Sequence, residues 1–274
     1  ISGITTAWPS FDAITGGYQR DDLISWVGRP ETGKTYVALH QAYQAHQDGH
    51  SVLFVTTEMG AEQIARRYAA IALDINPQQL KTGNISTYAR RRLDALVRDL
   101  VGSDRFKLLS VGMKSKTQAV EAAIDEFGPG VVYVDGVYLM KPTDYNPRMN
   151  TTERISAVFT ELKALTLDAN LPMIVTTQFS RQAGKSGKDG SLENIGYSDA
   201  IGTHSSIVVA IKHGPTQNPR DSRVFEFLKG REGEFGSVAI NFKFAPLDMD
   251  EFTPAGEGQD PSDTGDSTSA SVDW

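Results

Sequence analysis

The chain is predicted to be an α/β protein, with a twisted, mostly parallel sheet flanked by helices and an antiparallel C-terminal extension. Three observations lead there. Short apolar runs alternate with segments of helical period over roughly the first two thirds of the chain. From about residue 206 the apolar runs follow one another without intervening helices. Polar residues able to carry chemistry stand just after several runs, at what would be the ligand-binding edge of an open parallel sheet.

The elements follow in order. Leu23-Ile24-Ser25-Trp26-Val27 is a short, mostly apolar strand. Residues 34–48 place Ala38, Leu39, Ala42, Tyr43 and Ala45 at helical spacing, and Gly49 supplies the C-terminal stop. A second strand covers 51–56, and helices are predicted over 60–73 and 84–101. Then come a strand at 106–109, a helix at 115–127, a buried strand at 131–134, a helix at 152–168 and a strand at 173–177. The final strands are 206–212, 222–228 and 236–243. No internal repeat is visible. Residues 254–274 are rich in Gly, Ser, Thr, Asp and Pro, with one aromatic, Trp274. Such a segment buries too little apolar surface to offset its ordering entropy, so a disordered acidic tail is expected behind a domain of residues 1–253.

Composition narrows the function. The 274 residues include no Cys, which excludes disulfides, thiolate zinc sites, iron–sulfur clusters and thiol nucleophiles. The five His residues lack acidic or Cys partners at metal spacing. No apolar run approaches the roughly 20 residues that span a bilayer, so no membrane partner is expected. No signal peptide opens the chain, and a cytoplasmic setting is expected. The first residue is Ile1, the expectation being a fragment or processed product. The net charge of -7 argues on its face against a nucleic-acid partner. From Asp248 onward, however, there are eight acids and no Lys or Arg, which leaves 26 acids against 27 bases in residues 1–247. The body is near neutral.

Gly28-Arg29-Pro30-Glu31-Thr32-Gly33-Lys34-Thr35 matches the phosphate-binding loop G-x-x-x-x-G-K-[ST], between a strand and an amphipathic helix. Its glycines let the backbone curl so that successive N–H groups face phosphate oxygens, and the helix N-terminus adds partial positive charge. Lys34 would reach the β- and γ-phosphates of ATP or another NTP, and the Thr35 hydroxyl would ligate Mg²⁺. Such a loop needs a carboxylate from a neighbouring strand, and Asp135 ends the run Val131-Val132-Tyr133-Val134. Alone, an Asp there could equally cap a turn. Glu58 follows the strand 51–56 and is a candidate to orient and deprotonate the attacking water, its alternative being N-capping of the next helix. Gln178 follows a third strand, where a neutral amide could sense the γ-phosphate or simply face solvent.

Taken together, these residues resemble the motor domain of DnaB-type replicative helicases, within the RecA-like ATPases. The likeness covers about residues 1–245. It runs through Phe11-Asp12-Ala13-Ile14-Thr15-Gly16-Gly17, the phosphate loop, Glu58-Met59 with Ala61-Glu62-Gln63 and Arg67, Asp135 with Leu139 and Met140, Gln178-Phe179-Ser180-Arg181, and Lys229-Gly230-Arg231-Glu232-Gly233. Gly136-Val137-Tyr138 departs from the usual Tyr-Leu-Gln. The resemblance implies a RecA-like sheet, a homohexameric ring and ATP-driven translocation on single-stranded DNA. It also implies that Arg231, with Lys229 in the same motif, is a finger donated to the neighbouring subunit's nucleotide. Without it, both would read as solvated surface bases.

Two polar loops look like the family's central-channel DNA contacts. One spans 141–154 and contains Arg148; the other spans 181–194 and contains Arg181, Lys185 and Lys188. Cations and backbone N–H groups are what sequence-independent gripping requires, although mobile surface loops carry them too. The acidic tail, tipped by Trp274, is expected to hold a primase or polymerase. The main alternative is an oligomeric RecA-like ATPase of recombination or signalling that never unwinds DNA. A non-catalytic nucleotide-gated adaptor is opposed by the presence of Lys34, Thr35, Glu58 and Asp135.

Overall fold

The computed structural model describes residues 2–179, 198–214, 216, 218 and 220–253. The strands are β1 Leu23–Gly28, β2 Val52–Thr56, β3 Phe106–Ser110, β4 Val131–Asp135, β5 Met173–Gln178, β6 Ile207–His213, β7 Ser222–Lys229 and β8 Ser237–Asn241, with a small hairpin of β9 Lys243–Phe244 and β10 Leu247–Asp248. The helices are α1 Pro9–Thr15, α2 Lys34–Gln47, α3 Ala61–Leu73, α4 Pro77–Thr82, α5 Thr87–Ser103, α6 Gln118–Phe127, α7 Thr151–Ala169 and α8 Ser198–His204. Among the described residues, eight strands form one sheet in the order β3-β2-β4-β5-β1-β6-β7-β8. The pairs from β3 through β6 are parallel, and β7 and β8 are added antiparallel. This is the predicted fold, including its antiparallel extension.

Both faces of the sheet are covered. Every residue of β1 is buried, because alternate side chains enter different cores. Ile24 and Trp26 face a core with Trp8, Phe11, Val37, Leu39 and Phe54, whereas Leu23 and Val27 face Val134, Phe159 and Leu162. Ser25 is tolerated at the centre of β1 because its hydroxyl pairs with that of Ser205 at 2.7 Å. Trp8 is fully buried, packs edge-on to Phe225 at 4.7 Å, and donates its indole N–H to the Met249 carbonyl at 2.8 Å. Burial of each such aromatic contributes about 1.5–3 kcal/mol. That contact ties the start of the chain to its last described turn.

Three short helices were not predicted. α1 and α4 each begin at a proline, and Asn76 caps α4 by accepting from the Gln78 amide at 2.9 Å. Segments of six or seven residues are too short to show periodicity. The helix expected from 84 starts at 87, because the Ser86 hydroxyl accepts from the Ala89 amide and caps it there. The helix expected from 115 starts at 118, since Lys116 bridges to Lys141 instead. The strand expected over 236–243 breaks at Phe242, whose amide turns to the Asp221 carbonyl at 2.7 Å.

One buried group makes stability depend on pH. The His40 ring stacks on Trp8 at 5.4 Å, and its Nδ1 is shut away from solvent with no hydrogen-bond partner among the described residues. Burial lowers its pKa from 6.5 to about 4, so the fold favours the neutral ring. The stability this provides is complete above pH 6.5 and is lost as pH falls from there towards 4. The loss amounts to at most about 3 kcal/mol. Melting temperature should therefore fall more steeply across that window in the native chain than in His40→Phe. Parallel curves would refute this.

Candidate nucleotide site

The loop between β1 and α2 has a backbone that few residues can adopt. Glu31 and Gly33 have φ of 66° and 96°. A Cβ on Gly33 would also lie 2.2 Å from the Phe242 ring, so a side chain is barred on two counts. The Thr32 hydroxyl donates to the Arg29 carbonyl at 2.9 Å, closing the curl. From β7, Arg223 donates its Nε–H to the Thr32 carbonyl at 2.7 Å, with its guanidinium 4.1 Å from the centre of the Phe242 ring. The loop is thus braced from below by β7 and the segment after β8. Lys34 donates to the Gly28 and Arg29 carbonyls at 3.1 and 2.9 Å. Burial lowers its pKa, partly offset by the charges of Glu58 and Asp135. A desolvated ammonium beside curled amides is suited to a polyanion.

The sheet order brings the other predicted residues to this loop. Thr56 of β2 is level with Asp135 of β4, and Gln178 of β5 is level with Gly28 of β1. Asp135 is buried, accepting from the Thr35 hydroxyl at 2.9 Å on one oxygen and from the Thr176 hydroxyl at 2.7 Å on the other. Burial raises its pKa to about 6, against the opposing effect of those hydroxyls. A carboxylate held at this depth beside Thr35 fits a hard cation with oxygen ligands such as Mg²⁺. Glu58 does not cap α3, where Gly60 occupies the N-cap position. Its side chain instead accepts a hydrogen bond from the Tyr138 hydroxyl. Gly136 makes this possible: with φ of 88° it turns the chain sharply, and a Cβ there would lie 2.4 Å from the Thr57 hydroxyl and 2.8 Å from Glu58 Cγ.

Lys34, Thr35, Glu58 and Gln178 line an open cleft of about 990 Å³, with Asp135 behind Thr35. The same cleft is lined by Tyr36, Arg67, Phe242 and Phe244. Tyr36 and Phe244 lie 4.9 Å apart, and Arg67 sits 4.8 Å from the centre of the Tyr36 ring. A phosphate loop and aromatic rings in one cleft suit a nucleotide. Sequence reasoning missed Tyr36, Arg223, Phe242 and Phe244 as parts of the site. Tyr36 directly follows Thr35, and so could have been suspected; the others come from far along the chain, beyond β6, and carry no local signal.

The family model for the DnaB-like helicase C-terminal domain matches residues 3–250. The chain belongs to this family. It is 28% identical over 250 residues to the replicative DNA helicase DnaC of Bacillus subtilis, and 26% identical over 253 residues to the replicative DNA helicase DnaB of Geobacillus stearothermophilus. Each match covers 88% of this chain and 55% of the relative, so the chain spans about half the length of the curated relatives it matches. Its fold is also that of a solved ATPase domain, with a TM-score of 0.79 at 21% identity over 90% of this chain and 92% of that one. A DnaB-like replicative helicase, in a structure concerned with its interactions with primase, has a TM-score of 0.81 at 20% identity, covering 91% of this chain and 62% of that one.

The remaining predicted residues of this DnaB-like domain lie elsewhere. Because β7 is antiparallel to β6, Arg223 stands at the phosphate edge while Lys229 and Arg231 stand at the opposite edge. Arg231 pairs with the buried Asp22 at 2.8 Å. Lys229 donates to the Gly202 and Ser205 carbonyls at 2.6 and 2.7 Å, at the end of α8. Neither belongs to the phosphate site of its own chain. Arg148 is exposed on the loop before α7, beside Asn146, whose side chain accepts from the Arg148 amide at 3.0 Å. Arg154, expected at the end of that loop, belongs to α7 and turns inward, donating to the Tyr138 carbonyl at 2.9 Å. Arg181, Lys185, Lys188 and the tail 254–274 lie outside the described residues. No described helix is long and apolar enough to cross a membrane.

Proposed function

We propose that the chain is the ATP-hydrolysing motor of a replicative DNA helicase, working as a homohexamer that translocates on single-stranded DNA and unwinds duplex. The observation that carries this reading is the convergence of Lys34, Thr35, Asp135, Glu58 and Gln178 from four strand ends onto one edge, with Arg231 on the opposite edge. In a ring, the two edges of neighbouring subunits complete one site.

Residues 28–35 bind the triphosphate through backbone amides, and Lys34 offsets the charge that builds on the β- and γ-phosphates. Thr35 and Asp135 would hold Mg²⁺, which when bound supplies charge neutralisation across the phosphates. Glu58 orients a water and takes its proton as the water oxygen bonds to the γ-phosphorus and the bond to the ADP oxygen breaks. Gln178 senses the γ-phosphate and passes its loss to the segment that follows. Arg231 enters the neighbouring site, whereas Lys229 acts by holding α8 against the strand that delivers it. Arg148, Arg181, Lys185 and Lys188 grip the DNA backbone, and sixfold repetition turns a near-neutral body into a basic channel. The tail 254–274 holds a primase or polymerase.

The test is a pair of assays: ATPase activity with and without single-stranded DNA, and unwinding of a forked duplex. DNA-stimulated turnover with unwinding is expected. A protein that hydrolyses ATP and coats DNA in filaments, without ever unwinding a fork, would belong to the recombinase-like alternative.

A further inference from the structure

The departure at Gly136-Val137-Tyr138 has a physical counterpart in the site. Tyr138 lies in the 3₁₀ turn Val137–Leu139 that follows β4. Its hydroxyl donates to Glu58 and accepts from the Gln178 side-chain amide. One phenol oxygen therefore stands between two groups that come from different strands. The turn is held on several sides: Gly136 donates its N–H to the Thr176 hydroxyl at 2.9 Å, Thr57 donates to the Gly136 carbonyl at 2.8 Å, and Arg154 of α7 donates to the Tyr138 carbonyl at 2.9 Å. The backbone that carries Tyr138 is thus held in place, and the side chains of Glu58 and Gln178 meet at its hydroxyl.

We infer that Tyr138 is a positioning residue that couples Gln178 to Glu58 through its hydroxyl, so that movement of the amide at the end of β5 sets the placement of the carboxylate at the end of β2. The chemistry is directional. A phenol has one proton to give, and here it goes to the carboxylate, which leaves its lone pairs for the amide N–H. When Gln178 turns away, the phenol loses a donor that polarises it, and its own bond to Glu58 weakens. The carboxylate is then freer to swing off the line of attack. Hydrolytic competence would in this way depend on the chain segment that follows Gln178. This inference rests on the reading of Glu58 as the group that orients the lytic water.

The experiment compares Tyr138→Phe, Gln178→Ala and their double variant, with Glu58→Gln as the control for the site itself. Phe keeps the ring and removes only the hydroxyl, so the melting temperature should stay close to that of the native chain. The loss of a hydrogen bond to a charged group should lower kcat by about tenfold or more, with KM for ATP within about twofold. Stimulation by single-stranded DNA should fall in parallel. If the three residues act as one chain, the double variant should be no slower than the slower single variant, because the first change has already broken the link. Native kcat and native DNA stimulation in Tyr138→Phe, with Glu58→Gln inactive, would overturn this inference alone. Losses that multiply in the double variant would overturn it as well. Full activity in Glu58→Gln would overturn the site reading and this inference with it.

Discussion

Replacing Lys34 with Ala is expected to lower ATP turnover by about 10³-fold or more, a loss of at least about 4 kcal/mol of transition-state stabilisation. The size follows from where the ammonium sits. It is the first residue of α2, desolvated, and already directed over the loop at the Gly28 and Arg29 carbonyls. Charge developing between the β- and γ-phosphates would meet a cation already held beside the loop that cradles them. Nucleotide affinity should fall as well, since the same cation neutralises the ground state, but kcat should fall more. Stability should change little, because a desolvated cation is removed at the cost of two hydrogen bonds to carbonyls of its own loop. The measurement is steady-state ATPase at saturating nucleotide, together with a melting curve. A Lys34→Ala protein that turns over ATP at the native rate would remove the basis for the proposed activity.

The second large effect is expected at Arg231, where Arg231→Ala should lower turnover by about 10³–10⁵-fold, the range found for arginine fingers. Nucleotide binding should survive, because Arg231 lies on the edge opposite its own phosphate loop. Arg231 also neutralises the buried carboxylate of Asp22, so some loss of stability is expected and melting temperature must be followed alongside. Mixing resolves the two effects. Arg231→Ala and Glu58→Gln should each be inactive alone. A ring containing both places an intact Arg231 from the Glu58→Gln subunit against an intact Glu58 in the Arg231→Ala subunit. Activity should therefore return on mixing. If the mixture stays inactive while both variants still assemble, Arg231 does not act across the interface.

The cation at 229 shows why such a pair is hard to read in a linear sequence. Lys229 and Arg231 stand two residues apart in one motif, yet they differ in use: Lys229 is bound to carbonyls at the end of α8, and Arg231 is half-exposed with one acidic partner. Their separate partners come from residues 202, 205 and 22, which only the packing of α8 and β1 brings near. Glu58 carries the same lesson. At a strand end before a helix it could have capped α3, but the tight turn at Gly136 places the Tyr138 hydroxyl against it.

The alternation of elements, the phosphate loop, and the polar residue at each strand end were all legible in the amino-acid sequence. Each depends on neighbours within a few positions: apolar runs that form strands, glycines that permit a curl, and a helix start that concentrates amides. Composition likewise separated a near-neutral body from an acidic C-terminal stretch. Tertiary structure alone decided the rest. Sheet order placed β4 between β2 and β5, and β1 between β5 and β6, which brought Glu58, Asp135 and Gln178 to Lys34 and Thr35. The antiparallel return of β7 sent Arg223 beneath the phosphate loop and Arg231 to the far edge. Phe242 and Tyr138 acquired their roles in the same way. Local sequence sets the geometry of a turn, but which turns meet depends on crossovers between strands that are distant in the chain, and no nearby residue records that.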